Sequence, residues 1–82
     1  MLMARNVNFN QWVSITKSDT VNLEKITDAV YVGGAGDVAF VSEGDVAVTF
    51  AGAVAGSILP VAAKRINSTN TTATLLVALY QV

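Results

Sequence analysis

The chain contains no cysteine and no histidine. Without cysteine there is no disulfide staple, no thiolate metal site and no thiol nucleophile. Without histidine there is no Ser-His-Asp triad and no imidazole ligand. Proline occurs once, at Pro60. Charged residues make up only 13% of the 82 positions, about half the usual share of roughly 25%. The five basic residues (Arg5, Lys17, Lys25, Lys64, Arg65) are spread along the chain and the net charge is −1. That balance lacks the basic footprint of a nucleic-acid-binding surface. The six acids all fall within the first 45 residues, and Lys64 and Arg65 are the only charges after them.

Apolar residues fill 52% of the chain. Leu, Ile, Val and Phe account for 26 of 82 positions, too many for a disordered tail. An 82-residue chain makes one domain, and a chain this short buries only about 60–65% of its unfolded surface when it folds alone. Small domains are usually held by a disulfide, a metal or a partner. The first is excluded and six scattered acids do not suggest the second, so assembly is expected.

Residues 46–63 form an uncharged run of 18 that contains Gly52-Ala-Val-Ala-Gly56. A spanning helix needs about 20 apolar residues. Val46 to Phe50 alternates large and small side chains, which is strand periodicity. Gly52, Gly56, Ser57 and Pro60 interrupt the run, and Pro60 would leave a backbone carbonyl unpaired in hydrocarbon. A membrane span is therefore not expected. A signal peptide is not expected either, because Arg5, Asn6, Asn8, Asn10 and Gln11 occupy the place of its apolar core.

The coarse reading is all-β: a small antiparallel β-sandwich or barrel over residues 15–82, with an extended N-terminal arm over 1–14. Phe9, Trp12 and Val13 are anchors on the arm, or else they close one end of the core. Residues 16–20 are a polar turn in which Ser18 or Asp19 caps a helical turn near Glu24, or else begins an extended loop. Ala29–Val32 and Val38–Val41 are β-rich and flank Gly33-Gly34-Ala35-Gly36, read as a tight turn between them. Ser42-Glu43-Gly44-Asp45 is a hairpin loop with Gly44 at positive φ. In the hairpin Val38, Phe40, Val46, Val48 and Phe50 make the large face, directed at the core. Ser57–Val61 begins a strand that Pro60 places at a sheet edge or at a strand start. Asn67–Thr72 is a loop. Thr74–Val82 is apolar on both faces, with Leu75, Val77 and Leu79 on one and Leu76, Ala78, Tyr80 and Val82 on the other. The second face, with Phe9 and Trp12, is the expected subunit or partner interface. Gly33, Gly34, Gly36 and Gly44 are the expected structural turn residues.

Motifs that imitate chemistry have plainer readings. Gly34-Ala-Gly36-Asp-Val-Ala39 fits half a dinucleotide fingerprint, but the pattern needs a helix after its glycines and a strand follows. Asn67-Ser68-Thr69 and Asn70-Thr71-Thr72 are formal sequons that read as a turn. Asp37, Glu43 and Asp45 are too few for a calcium loop. Lys64-Arg65 is a solvated pair, or it meets an acidic partner. No catalytic residue, metal ligand or cofactor site is expected.

Taken in order, several segments carry a family likeness. Ala29-Val30-Tyr31-Val32-Gly33-Gly34-Ala35-Gly36-Asp37-Val38 resembles the glycine signature of the small head-spike base proteins of tailed bacteriophages and phage-like gene transfer agents. Val48-Thr49-Phe50, Ala55-Gly56-Ser57-Ile58-Leu59-Pro60-Val61, Arg65-Ile66, Thr69, Thr71-Thr72-Ala73 and Val77-Ala78-Leu79-Tyr80 follow in the same order. Ile15-Thr16-Lys17-Ser18-Asp19-Thr20 is similar to that family's opening segment. The resemblance spans about residues 15–82. It implies a structural, non-enzymatic virion protein on the phage head surface, seated at capsid vertices. The implied partners are further copies of itself in a homo-oligomeric ring (a pentamer among the open counts), the capsid protein and a spike fibre protein, with neither nucleic acid nor membrane. The alternative is a module that itself touches a host glycan or receptor through Trp12, Tyr31 or Tyr80. A small membrane protein carried on residues 46–63 is a further alternative.

Overall fold

The computed structural model describes residues 8–82. Those residues form seven strands in two antiparallel sheets and no helix. They are β1 (Gln11–Ser14), β2 (Ala29–Gly34), β3 (Gly36–Ser42), β4 (Ala47–Ala53), β5 (Ile58–Leu59), β6 (Ala63–Ile66) and β7 (Thr74–Tyr80). One sheet has the order β1-β7-β2-β5, the other β4-β3-β6. The two pack into a small sandwich, as the sequence predicts.

Alternation places the core. Val30 and Val32 of β2 and Leu76 of β7 meet Val38 and Phe40 of β3 and Ala63 and Ile66 of β6, with Ala73 between them. Ile66, Val30, Val32 and Val38 are among the largest side chains fully closed off from solvent. Burying each such side chain contributes about 1.5–3 kcal/mol.

The glycine segment does not reverse the chain. β2 and β3 belong to different sheets, with Ala35 alone between them. Gly33, Gly34 and Gly36 carry the chain around a corner from one sheet to the other, so the expected tight turn is a sheet-to-sheet bend. A Cβ on Gly33 would lie 2.6 Å from the Leu75 Cβ, so β7 can approach only because that position is bare. Leu75 itself has φ 54°, and its side chain is turned out to solvent. Leu79, expected on the same face, is buried instead.

The expected hairpin over 42–45 is present. The Asp45 amide donates to the Ser42 carbonyl at 3.0 Å, and the Ser42 amide to the Val46 carbonyl at 2.9 Å. Its positive φ falls on Asp45, at 67°, and not on Gly44. Aspartate tolerates the left-handed region because its short side chain bonds locally. Here that carboxylate reaches back to the Lys64 ammonium on β6.

The last four residues of the expected arm are an integral edge strand, because β1 pairs with β7 in the register Trp12 to Leu79 and Val13 to Ala78. The Asn10 side chain adds two bonds to the Val82 backbone, at 3.0 and 2.9 Å. Residues 1–7 of the arm lie outside the described residues.

From Ile15 to Asp28 the chain is an extended loop, without the capped helical turn. Its backbone runs along β6: Ser18 donates to the Ile66 carbonyl, Leu23 to Lys64 and Thr27 to Ala63, at 2.7–3.0 Å. Ser18 does accept from the Thr20 and Val21 amides as a cap would, but over a bend and not a helical turn. The expected edge position of the Pro60 segment is found, since β5 ends the four-stranded sheet.

Candidate assembly surfaces

Two apolar surfaces stay open, one on each sheet. The first is the outer face of the four-stranded sheet. Register puts Trp12 opposite Leu79, Tyr31 opposite Val77 and Ile58 opposite Tyr31, so these side chains share one face. With Asn8 and Phe9 they line a groove of about 420 Å³. Trp12 is 68% exposed and Ile58 is 51% exposed. Phe9 is half-buried beside them.

The second is β4. It was expected to turn its large side chains into the core. Val46, Val48 and Phe50 do lie on the core-facing side, since Val48 pairs with Phe40 and Phe50 with Val38. The Phe50 ring meets Phe40 edge to face at 4.9 Å between centroids. Yet β4 projects past the cover supplied by the other sheet, and Val46, Val48 and Phe50 remain 59%, 52% and 40% exposed. Sheet cover ends at β5, two residues long, and outside their own sheet only Val61 and Ala62 line the shallow cavity above them. The result is an apolar ledge continuous with the core. Alternation revealed the face but not how far the opposite sheet extends.

β7 shows the reverse. Leu76, Ala78 and Tyr80, expected at an interface, are all buried within the protomer. Leu76 packs in the core between the sheets and Tyr80 against the Leu23–Lys25 segment, so the protomer itself covers them. Tyr80 donates its hydroxyl to the Lys25 carbonyl at 3.2 Å, and the Lys25 ammonium sits 5.3 Å over its ring. Burial raises the Tyr80 phenol above its ordinary value, helped by the charges of Glu24 and Asp28. Of the six expected interface residues, Phe9, Trp12 and Val82 stay at the surface.

Polar groups near these surfaces are engaged within the chain. The Asp37 carboxylate accepts from the Gly52 amide at 2.9 Å and pins the end of β4. Lys64 pairs with Asp45. Arg65 donates to the side chains of Asn67 and Asn22 at 3.1 and 2.9 Å. Asp19 accepts from the amide and hydroxyl of Thr69 at 2.9 and 2.8 Å, tying the two polar loops together. Those bonds hold the Asp19 carboxyl below its ordinary value, and Lys64 does the same for Asp45. The sequon-bearing loop is built into the fold: the Thr71 hydroxyl accepts from the buried Ala39 amide at 2.9 Å. Among the described residues no buried side-chain nitrogen or oxygen lacks a partner. No helix among them is long and apolar enough to cross a membrane.

A compact sandwich whose polar side chains brace loops, and whose free surface is apolar on both sheets, has the form of an assembling structural subunit. Comparison with known proteins gives that class a family. A chain of a solved structure described as the capsid of a native GTA (gene transfer agent) particle, computed with C5 symmetry, is 33% identical to this chain, with a TM-score of 0.81. The match covers 88% of this chain and 83% of that one. The chain belongs to the same family, one of structural proteins of phage-like particles, and its place is the virion. No family model and no curated protein matches it.

Proposed function

We propose that this protein is the base of a head spike. Identical copies form a ring at a capsid vertex and hold a distal fibre, without enzymatic activity. The observation that carries the reading is the pair of open apolar surfaces, the Trp12–Tyr31–Ile58 groove and the Val48–Phe50 ledge, on a chain with 13% charge. Members of a cyclic ring each present two different patches, one to each neighbour. The fivefold symmetry applied to the related particle suits a ring of five, and the likeness of the glycine signature and the Ile58-Leu59-Pro60 segment to head-spike bases supports the vertex position.

A map of the intact particle tests this. Subunit density in a closed ring beneath a fibre at the vertices is expected. Density spread over the whole capsid shell would overturn it. One further observation favours host contact as a second reading: Trp12 and Tyr31 line a single groove, and paired aromatic faces bind sugars. Glycan binding by the isolated chain that is abolished in Trp12→Ala would support that alternative.

A further inference from the structure

We infer that neighbouring copies join edge to edge, β4 of one protomer continuing its sheet through β1 of the next. This rests on the ring reading above and names its seam.

Among the described residues the two sheets present four edges: β1, β5, β4 and β6. The β6 edge is closed by the protein's own backbone, through the amides of Ser18, Leu23 and Thr27. The β5 edge is two residues long and stops at Pro60, which has no amide to donate. That leaves β4, with seven residues, and β1, with four. β4 is backed by β3 alone and β1 by β7 alone.

An open edge is a row of unpaired amides and carbonyls, and natural proteins protect such rows with lysine, proline or inward charges. Residues 47–50 of β4 and 11–14 of β1 carry none of these; beyond Phe50 a bulge interrupts the β3–β4 ladder and the Asp37 carboxylate takes the Gly52 amide. Residues 47–53 read Ala-Val-Thr-Phe-Ala-Gly-Ala and residues 11–14 read Gln-Trp-Val-Ser. The nearest charge to β1, Lys25, reaches the Gln11 side chain and not the backbone. Both edges are flanked by exposed apolar groups, Val48 and Phe50 on β4 and Trp12 and Val13 on β1. An exposed sheet edge takes up a further strand through main-chain hydrogen bonds.

The occupant is a second copy because this chain supplies both halves of the seam. Pairing β4 with β4 would be two-fold and would stop at a dimer with β1 unfilled. Pairing β4 with β1 is head-to-tail and fills both edges, and a head-to-tail contact whose rotation closes makes the ring proposed above.

The absence of cysteine makes the test clean. Thr49→Cys and Val13→Cys, both at exposed positions, are prepared separately, mixed, and treated with a short bismaleimide. Cross-linked dimers are expected from the mixture and not from either protein alone. A single chain carrying both changes should give a ladder ending at the ring. Val48→Lys, a charge on the open edge, should raise the midpoint concentration of assembly about tenfold or more, with an unchanged circular dichroism spectrum. Dimers from Thr49→Cys alone would overturn the inference in favour of a two-fold pair. A wild-type oligomer that neither cross-links in the mixture nor weakens in Val48→Lys would overturn the seam and leave the ring. A wild-type chain that stays monomeric at every concentration would overturn the ring and the seam with it.

Discussion

A Cβ on Gly36 would lie 2.6 Å from the Ala73 amide nitrogen and 2.8 Å from its Cα. Its φ, 157°, is positive and lies where L side chains rarely sit, so torsion and space both demand glycine here. Ala73 is fully buried in the core and its amide bonds the Asp37 carbonyl at 3.1 Å. A side chain at Gly36 must therefore push two backbone segments apart. Gly36→Val should cost about 2–3 kcal/mol, at the severe end for single substitutions. Gly44, where an added Cβ would meet only the Ser42 Oγ at an ordinary 3.9 Å and φ is not positive, serves as the control: Gly44→Ala should stay within about 0.5 kcal/mol of wild type. Equal thermal melts for the two variants would sink the explanation. Thr27 gives a second residue-scale case. It is fully buried, donates its hydroxyl to the Val61 carbonyl at 2.7 Å and accepts from the Ala63 amide at 3.0 Å. Thr27→Val keeps the shape and orphans both backbone groups, so a loss of about 1–3 kcal/mol in denaturant unfolding is expected. The sequence marks Gly36 as a structural glycine but not the segment it must clear, and it gives no sign of Thr27. Both depend on which segment lies opposite, and a single Gly or Thr carries no sign of that.

Strands were legible where alternation is strong and the turn chemistry is unambiguous. β2, β3, β4 and β7 sit where apolar runs end in Gly, Ser, Asn or Asp, and the 42–45 hairpin sits at Ser-Glu-Gly-Asp. β1 was missed as a strand because four residues with one aromatic and one valine make too short a pattern. What joins the elements was harder to read. Their loops are held by acids that look like plain solvating charge in sequence. Asp19 ties the 16–20 segment to the Thr69 loop, and Asp45 ties the hairpin to Lys64. Both carboxyls are held below their ordinary value of 3.8 in the folded chain. A depressed folded value favours the ionised form, so the contribution is complete above the unfolded value and fades as pH falls through the folded one. Melting temperature should thus be flat near neutral pH and decline below about pH 4. Asp19→Asn with Asp45→Asn should melt lower at neutral pH and show a shallower acid decline. An identical acid profile in the double variant would show that these ties contribute nothing.

At the scale of the whole molecule, low charge and short length pointed to a covered subunit before any surface was located. The open apolar surface keeps the expected Phe9 and Trp12 but leaves β7 for β4, because Leu76, Ala78 and Tyr80 are buried within the protomer while Val46, Val48 and Phe50 stay exposed. That exchange makes folding and assembly separable. Leu76→Asp should unfold the chain, costing about 3 kcal/mol or more for an unpaired charge in the core. Trp12→Ala should leave the melt nearly unchanged, since Trp12 is 68% exposed, and should weaken association. A folded Leu76→Asp protein that only fails to assemble would return the interface to β7. Salt separates the forces in the seam. Ion pairs weaken as the Debye length falls to about 3 Å at 1 M, whereas burial of apolar surface strengthens in excluded salts such as sulfate. Val48, Phe50, Trp12, Tyr31 and Ile58 bring no charge to either surface, and the cations Lys64 and Arg65 are already engaged inside the chain. Assembly measured by light scattering should therefore hold or increase as sulfate is added. Dissociation with rising salt would show that charges absent from both apolar surfaces carry the contact.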